Sequence, residues 1–123
     1  MDVSLEKAIQ HKDHQRWLSQ LNFYQDEVKI FQNTLLLVLH KHPCSLSCVE
    51  HVEEYRRILL KKLAHIDELR YKIICHEQAL TDRSATAEQP EATHHEVAGA
   101  IKAFVKDFEK MKRNLRGFIA HND

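Results

Sequence analysis

The sequence predicts an all-α protein in which three long antiparallel helices form an up-down-up bundle. Its 123 residues include only two glycines and two prolines, which leaves little material for tight hairpin turns. Apolar residues recur at alternating steps of three and four along three separate segments, a spacing typical of packed helices. We therefore expect a single helical-bundle domain over residues 1–123, with helices at about 4–41, 47–81 and 91–121 and a linker at 82–90.

The first predicted helix carries a seam of apolar residues along one face. Continued backwards, the seam meets His14 and then Gln10. Continued forwards, it ends at His42, because Pro43 disfavours helical geometry in the residue before it. The seam residues are Trp17, Leu21, Tyr24, Val28, Phe31, Leu35 and Val38.

The second and third helices have similar seams, and each is preceded by a possible capping box. Ser47 with Glu50 predicts the start of the second helix, and Thr93 with Glu96 offers the same pattern for the third. The second seam consists of Cys48, Val52, Tyr55, Leu59, Ile66, Leu69, Ile73, His76 and Leu80. The third consists of Val97, Ile101, Phe104, Phe108, Met111, Leu115 and Phe118.

The first helix also carries surplus apolar residues beside its seam, namely Phe23, Ile30 and Leu37. We expect them to form an interface with a second copy of the chain or with another helical protein, and dimerisation would then complete the bundle. The short connection around Pro43 makes the first two helices antiparallel. The longer linker is compatible either with a bundle inside one chain or with helix exchange between two chains.

Charge and hydropathy exclude several classes of protein. The 18 basic and 18 acidic residues cancel, so no positive field favours nucleic acid. The longest apolar run, Leu35 to Leu39, is far too short to span a membrane. The N-terminus lacks the pattern of a secretory signal, and three cysteines form no disulfide framework. We expect a cytoplasmic protein that binds neither nucleic acid nor membrane.

The ten histidines are the unusual feature of the composition. In an up-down-up bundle most of them sort to its two ends. One end receives His11, His14, His76, His94 and His95, and the other receives His40, His42, His51 and His121.

The densest local cluster of metal-binding residue types surrounds the connection between the first and second predicted helices. Zinc is held by about four thiolate or imidazole ligands, and this segment offers His40, Cys44, Cys48 and His51. The Cys-x3-Cys spacing is not that of a usual zinc knuckle, and Cys48 also fits the seam. A metal-binding or metal-sensing bundle that holds zinc or iron at this turn is therefore the alternative function, and the leading expectation includes no cofactor.

Catalytic patterns are missing from the sequence. Cys75, His76 and Glu77 are suitable residue types, but adjacent residues on a helix point in different directions. The two glycines are isolated within the third helix, so no loop is available to cradle phosphates. We expect a non-enzymatic helical-bundle protein that acts in interaction or scaffolding.

The segment Trp17-Leu18-Ser19-Gln20-Leu21-Asn22-Phe23-Tyr24-Gln25-Asp26-Glu27-Val28 resembles one that recurs in small uncharacterised bacterial three-helix, coiled-coil-like proteins. In those proteins a tryptophan-led helix is followed by two further helices. The resemblance covers chiefly the first helix. It implies a bacterial cytosolic helical protein and transfers no activity and no functional residue.

Overall fold

Three long helices make up the described part of the chain, as the seams predict. A computed structural model describes residues 3–81 and 90–122, with side chains described for 5–80 and 94–122. The helices are α1 (Val3–Lys41), α2 (Leu46–Thr81) and α3 (Pro90–His121). The longest of them, α1, extends about 59 Å at the usual rise of 1.5 Å per residue. The predicted boundaries agree with these to within one residue.

The turn between α1 and α2 corrects the predicted N-cap. The cap is Ser45 rather than Ser47, because the Ser45 hydroxyl accepts a hydrogen bond from the Cys48 amide at 3.2 Å. The Ser45 carbonyl also accepts the first helical bond, from the Val49 amide at 3.0 Å. Helix α2 consequently starts one residue earlier than predicted, and Ser47 lies inside its first turn.

The start of α3 is also earlier than its predicted capping box. The helix begins at Pro90, so Thr93 is a helical residue and not the N-cap. Proline suits the first helical position because its amide hydrogen is not needed there and its φ is already helical. The rest of the predicted linker, residues 82–89, lies outside the described residues.

Contacts at both ends of the rod establish the up-down-up order. Near the start of α1, Asp13 contacts His94 of α3. At the opposite end, the His42 Nε2 atom lies 2.8 Å from the carbonyl oxygen of Asn122. Helices α1 and α3 therefore run parallel to each other and antiparallel to α2, as an up-down-up bundle requires.

The core consists almost entirely of the predicted seams. Every seam residue of α1 from Trp17 to Val38 is buried, and Phe104 and Phe108 of α3 are fully buried. The rings of Tyr24 and Phe108 lie 4.4 Å apart across the interface between α1 and α3. Each fully buried large side chain contributes roughly 1.5–3 kcal/mol to folding. The bundle is thus held together mainly by these three apolar faces.

Polar pairs at the edges of the seams fix the register of the helices. Arg70 of α2 donates hydrogen bonds to the side-chain oxygens of Asn22 and Gln25 on α1. On the other side of α1, Glu27 and Lys112 form an ion pair at 2.8 Å, with both side chains mostly buried. These contacts would be lost if either neighbour slid along α1 by one turn.

The flank of α1 predicted as an interface is solvent-exposed in the single chain. Phe23 is 57% exposed, Ile30 62% and Leu37 64%.

Nothing in the described helices is both long enough and apolar enough to cross a lipid bilayer.

Candidate metal centre

Three histidines, one from each helix, meet inside one end of the bundle. They are His14 of α1, His76 of α2 and His94 of α3, and one ring nitrogen from each lies within 4.8 Å of the other two. His14 and His76 are buried and His94 is half-buried. Among the described residues, no other group of three or more histidines, cysteines or carboxylates converges in this way. We call these three residues the histidine layer.

The heptad pattern explains why the histidine layer forms. His14 continues the α1 seam three residues before Trp17, and His76 is a seam residue of α2. His94 stands three residues before Val97, the first apolar residue of the α3 seam. Since all three occupy core-facing positions at the same height in the rod, their rings point inward and meet.

His14 and His76 share a direct hydrogen bond. The His76 Nδ1 atom lies 2.7 Å from the His14 Nε2 atom. On the other side of its ring, His14 Nδ1 lies 2.6 Å from the Glu77 carboxylate. A carboxylate accepts, so His14 carries its proton on Nδ1 and its Nε2 lone pair faces the centre of the layer. The His76 Nδ1–H group donates to that lone pair.

His94 is oriented by a second carboxylate. Its Nε2 atom lies 3.1 Å from Asp13 Oδ2, so the Nε2–H group donates to Asp13. The remaining nitrogen, Nδ1, is buried and has no hydrogen-bond partner among the described residues. A buried lone pair of this kind costs free energy unless a donor or a cation satisfies it. His14 and His94 therefore each present an unprotonated nitrogen whose opposite side is held by a carboxylate.

Glu77 connects the histidine layer to the surface. Its second carboxylate oxygen contacts the Nδ1 atom of His11, which is exposed on the preceding turn of α1. Burial tends to raise the pKa of Glu77, but hydrogen bonds from His14 and His11 outweigh it and leave the pKa below its ordinary value. Glu77 is consequently an anion at neutral pH and a strong acceptor for both rings.

His14 is uncharged at neutral pH. Burial lowers the pKa of His14 most, and although the hydrogen bond to Glu77 opposes this, the neighbouring His76 adds to the lowering. The neutral ring is the form that coordinates metal ions. The layer therefore holds a ready ligand without having to release a proton from His14.

The surroundings of the layer are apolar on one side and open on another. The Trp17 ring packs against His94, with centroids 5.1 Å apart, and against His14 at 5.6 Å. Beside them, a groove of about 470 Å³ between α1 and α3 is lined in part by Asp13, Trp17 and His94. The groove brings solvent to the Asp13 side of His94, which gives an ion a route towards the layer.

The four turn residues predicted as metal ligands are placed differently. His40 and Cys44 are exposed, whereas Cys48 is 4% exposed and packs in the core. The His51 Nδ1 atom lies 2.7 Å from the Ser47 carbonyl oxygen, and the His51 ring packs on Phe118. The structure does not bring these four residues together as a converging group, in contrast to the histidine layer.

The sequence predicts that His14, His76 and His94 lie at the same end of the rod, but it did not predict that they form a site. The overlooked signal is that all three occupy seam positions. For His94 the predicted capping box obscured this, because it assigned the residue to the start of α3 and not to its core-facing stripe.

Comparisons of this chain with protein-family models, with curated proteins and with solved structures gave no match.

Proposed function

We propose that this protein binds one late first-row transition-metal ion, zinc in the first place, between His14, His76 and His94. The observation that carries the proposal is the convergence of three ring nitrogens from three helices within 4.8 Å. Carboxylates behind two of the rings support it, because metal-bound histidines usually donate their second N–H group to a carboxylate, a backbone carbonyl or a water.

The ligand set favours particular ions. Three neutral imidazoles suit Zn²⁺, Cu²⁺, Ni²⁺ and Co²⁺, whereas Mg²⁺ and Ca²⁺ prefer oxygen ligands. Both carboxylates of the site contact the outer nitrogens of the rings, so they orient the ligands. We therefore expect the affinity for Mg²⁺ and Ca²⁺ to be negligible by comparison.

Only small movements are needed to accept an ion. Zinc–nitrogen bonds of about 2.0–2.1 Å in a tetrahedron place the nitrogens about 3.3 Å apart. The 2.7 Å contact between His14 and His76 would open by about 0.6 Å, and His94 would move inward by about 1.5 Å at most, which small side-chain rotations provide. The ion replaces the hydrogen bond between His14 and His76, for which the proton on His76 Nδ1 is released to solvent and one is taken up on Nε2. The ion also satisfies the orphaned Nδ1 atom of His94.

A buried polar layer has a competing explanation, which is to specify the register of the bundle. Polar residues at core positions of coiled coils do this at some cost in stability. The two explanations differ in what a metal ion does. If the layer only sets register, added zinc leaves stability unchanged. If the layer binds zinc, the ion links three helices and stabilises the folded state.

The test uses protein purified without a histidine tag. Zinc titration by calorimetry should give one ion per chain, with a rise in melting temperature. His94→Asn should lower the affinity at least tenfold, while His95→Asn, which changes the adjacent exposed residue, should not. Cys44→Ser examines the turn hypothesis and should also leave binding unchanged. Unchanged zinc binding in His94→Asn would disprove the proposal, as would wild-type protein that binds no zinc.

A second proposed function is self-association through the flank of α1. Phe23, Ile30 and Leu37 recur every seven residues and are more than half exposed, which supports an interface with a second copy of the chain. The proposed location of this assembly is the cytoplasm, where the free cysteines remain thiols. Light scattering after size exclusion should give a dimer or larger. Ile30→Glu should reduce it to a monomer, whereas Asn114→Glu at an exposed position of α3 should not. A wild-type monomer would rule out self-association.

A further inference from the structure

The fourth coordination position of an ion in the histidine layer, which rests on the metal binding proposed above, is not filled by any of the three histidines. Zinc in a protein site is usually four-coordinate, and when three histidines bind it the fourth position commonly holds water. A metal-bound water is a strong hydrogen-bond donor, so a site built for it should contain an acceptor that has no other partner.

The structure contains such an acceptor close to the layer along α1. Within the described part of the chain, two buried side-chain atoms lack a hydrogen-bond partner, the His94 Nδ1 atom and the Gln10 Oε1 atom. Both atoms lie at the same end of the bundle, and both can accept but not donate. A metal ion that carries one water satisfies both, because the ion binds the nitrogen and the water donates to the amide oxygen.

The position of Gln10 supports this assignment. It stands four residues before His14, and residues at that spacing lie one above the other on the same face of a helix. Gln10 also occupies the next position of the α1 seam on the N-terminal side of His14. An amide oxygen buried in a seam without a donor costs roughly 1–3 kcal/mol, so its retention calls for a partner.

We propose that the ion in the histidine layer carries an exchangeable water and that Gln10 Oε1 accepts a hydrogen bond from that water. Gln10 is then a positioning residue that acts through the water and does not bind the ion. The fourth position is open to small exchangeable ligands, and azide is the appropriate probe because it replaces metal-bound water.

The experiment compares Gln10→Leu with Gln15→Leu, a matched substitution at an exposed position of the same helix. In the metal-free protein, Gln10→Leu should leave the melting temperature unchanged or raise it, because an orphaned oxygen is removed. With zinc, the same variant should bind roughly 10–100-fold more weakly, the usual effect of losing an outer partner of a metal site. Gln10→Glu, which keeps an acceptor oxygen, should restore the affinity. A purely structural role for Gln10 would lower stability with and without zinc.

A second measurement identifies the water itself. Cu²⁺ bound by wild-type protein should increase the relaxation rate of solvent protons, and azide should abolish this increase and change the visible spectrum. Strong Cu²⁺ binding without faster relaxation would overturn the inference, since it would mean that the fourth position holds no exchangeable water. Wild-type zinc affinity in Gln10→Leu would overturn it too.

The failure of this inference is distinguishable from failure of the proposed function. If His94→Asn loses zinc while Gln10→Leu keeps wild-type affinity, the metal site stands and the role of Gln10 is wrong. If wild-type protein binds no metal ion, the proposed function is wrong and this inference falls with it.

Discussion

His76 Nδ1 lies 2.7 Å from His14 Nε2, so two antiparallel helices share a histidine–histidine hydrogen bond inside the bundle. A leucine pair would fill such a position at lower cost, because burying polar rings requires that their nitrogens be satisfied. Glu77 and Asp13 provide partners for the outer nitrogens of His14 and His94, and within the described part of the chain the inner Nδ1 atom of His94 has no partner.

Trp17 should report metal binding by its fluorescence. It is the single tryptophan of the chain, and its ring centroid lies 5.1 Å from that of His94. Cu²⁺ quenches indole emission at such distances, so titration should give a saturable decrease that ends at one equivalent. His94→Asn should weaken the quenching and His95→Asn should not. Quenching that rises linearly without saturation would indicate random collisions and count against the site.

Glu77→Gln should weaken zinc binding by roughly 10–100-fold, because the amide no longer holds His14 as a strong, oriented ligand. The control is Glu68→Gln on the same helix, where the side chain is 65% exposed and forms only a 3.9 Å pair with Lys72. Competition with a chromophoric chelator measures both affinities. Equal affinity in the two variants would mean that Glu77 does not orient the site.

Tyr24 should make stability depend on alkaline pH. Burial, assisted by a hydrogen bond to Glu109, raises the pKa of Tyr24 to about 12. In the unfolded chain the phenol titrates near pH 10. The stabilisation of the folded state by the neutral phenol is therefore complete below pH 10 and is lost as the pH rises towards 12.

The measurement for Tyr24 is urea unfolding of wild type and Tyr24→Phe from pH 9 to pH 12. The stability of wild type relative to the variant should fall by on the order of 2 kcal/mol across this range. Glu109→Gln, which removes the charge beside the phenol, should make the fall smaller. A difference between wild type and Tyr24→Phe that stays constant with pH would refute the prediction.

Gly99→Ala and Gly117→Ala should each stabilise the protein by roughly 0.5–1 kcal/mol, the difference in helix propensity between the two residues. Both glycines are exposed within α3, neither has a positive φ, and an added Cβ would meet no atom within 4 Å. Thermal unfolding monitored by circular dichroism tests each variant. A loss of stability at either position would contradict this prediction.

Most of the fold was predictable because it depends on local pattern. The spacing of apolar residues determines which face of each helix is buried, and the seam residues from Trp17 to Leu35 on α1 and from Val97 to Leu115 on α3 are buried as that spacing requires. The helix starts were less certain. Ser45 and Ser47 are both capable caps, and only the hydrogen bond from the Cys48 amide to Ser45 distinguishes them.

The candidate site was predictable only in part. The sequence by itself determined that three amphipathic helices form, that His14 and His76 face the core, and that most histidines gather at the ends of the rod. Closeness along the chain predicted a metal site at His40, Cys44, Cys48 and His51, but these four residues do not converge in space.

Only the tertiary structure decided which histidines meet. Helical periodicity is a property of each segment alone, whereas the heights of His14, His76 and His94 relative to one another depend on the turn geometry and on how the side chains of neighbouring helices interlock. A shift of one helical turn, about 5.4 Å, would separate the rings beyond the reach of a single ion and leave Glu77 and Asp13 without their histidines.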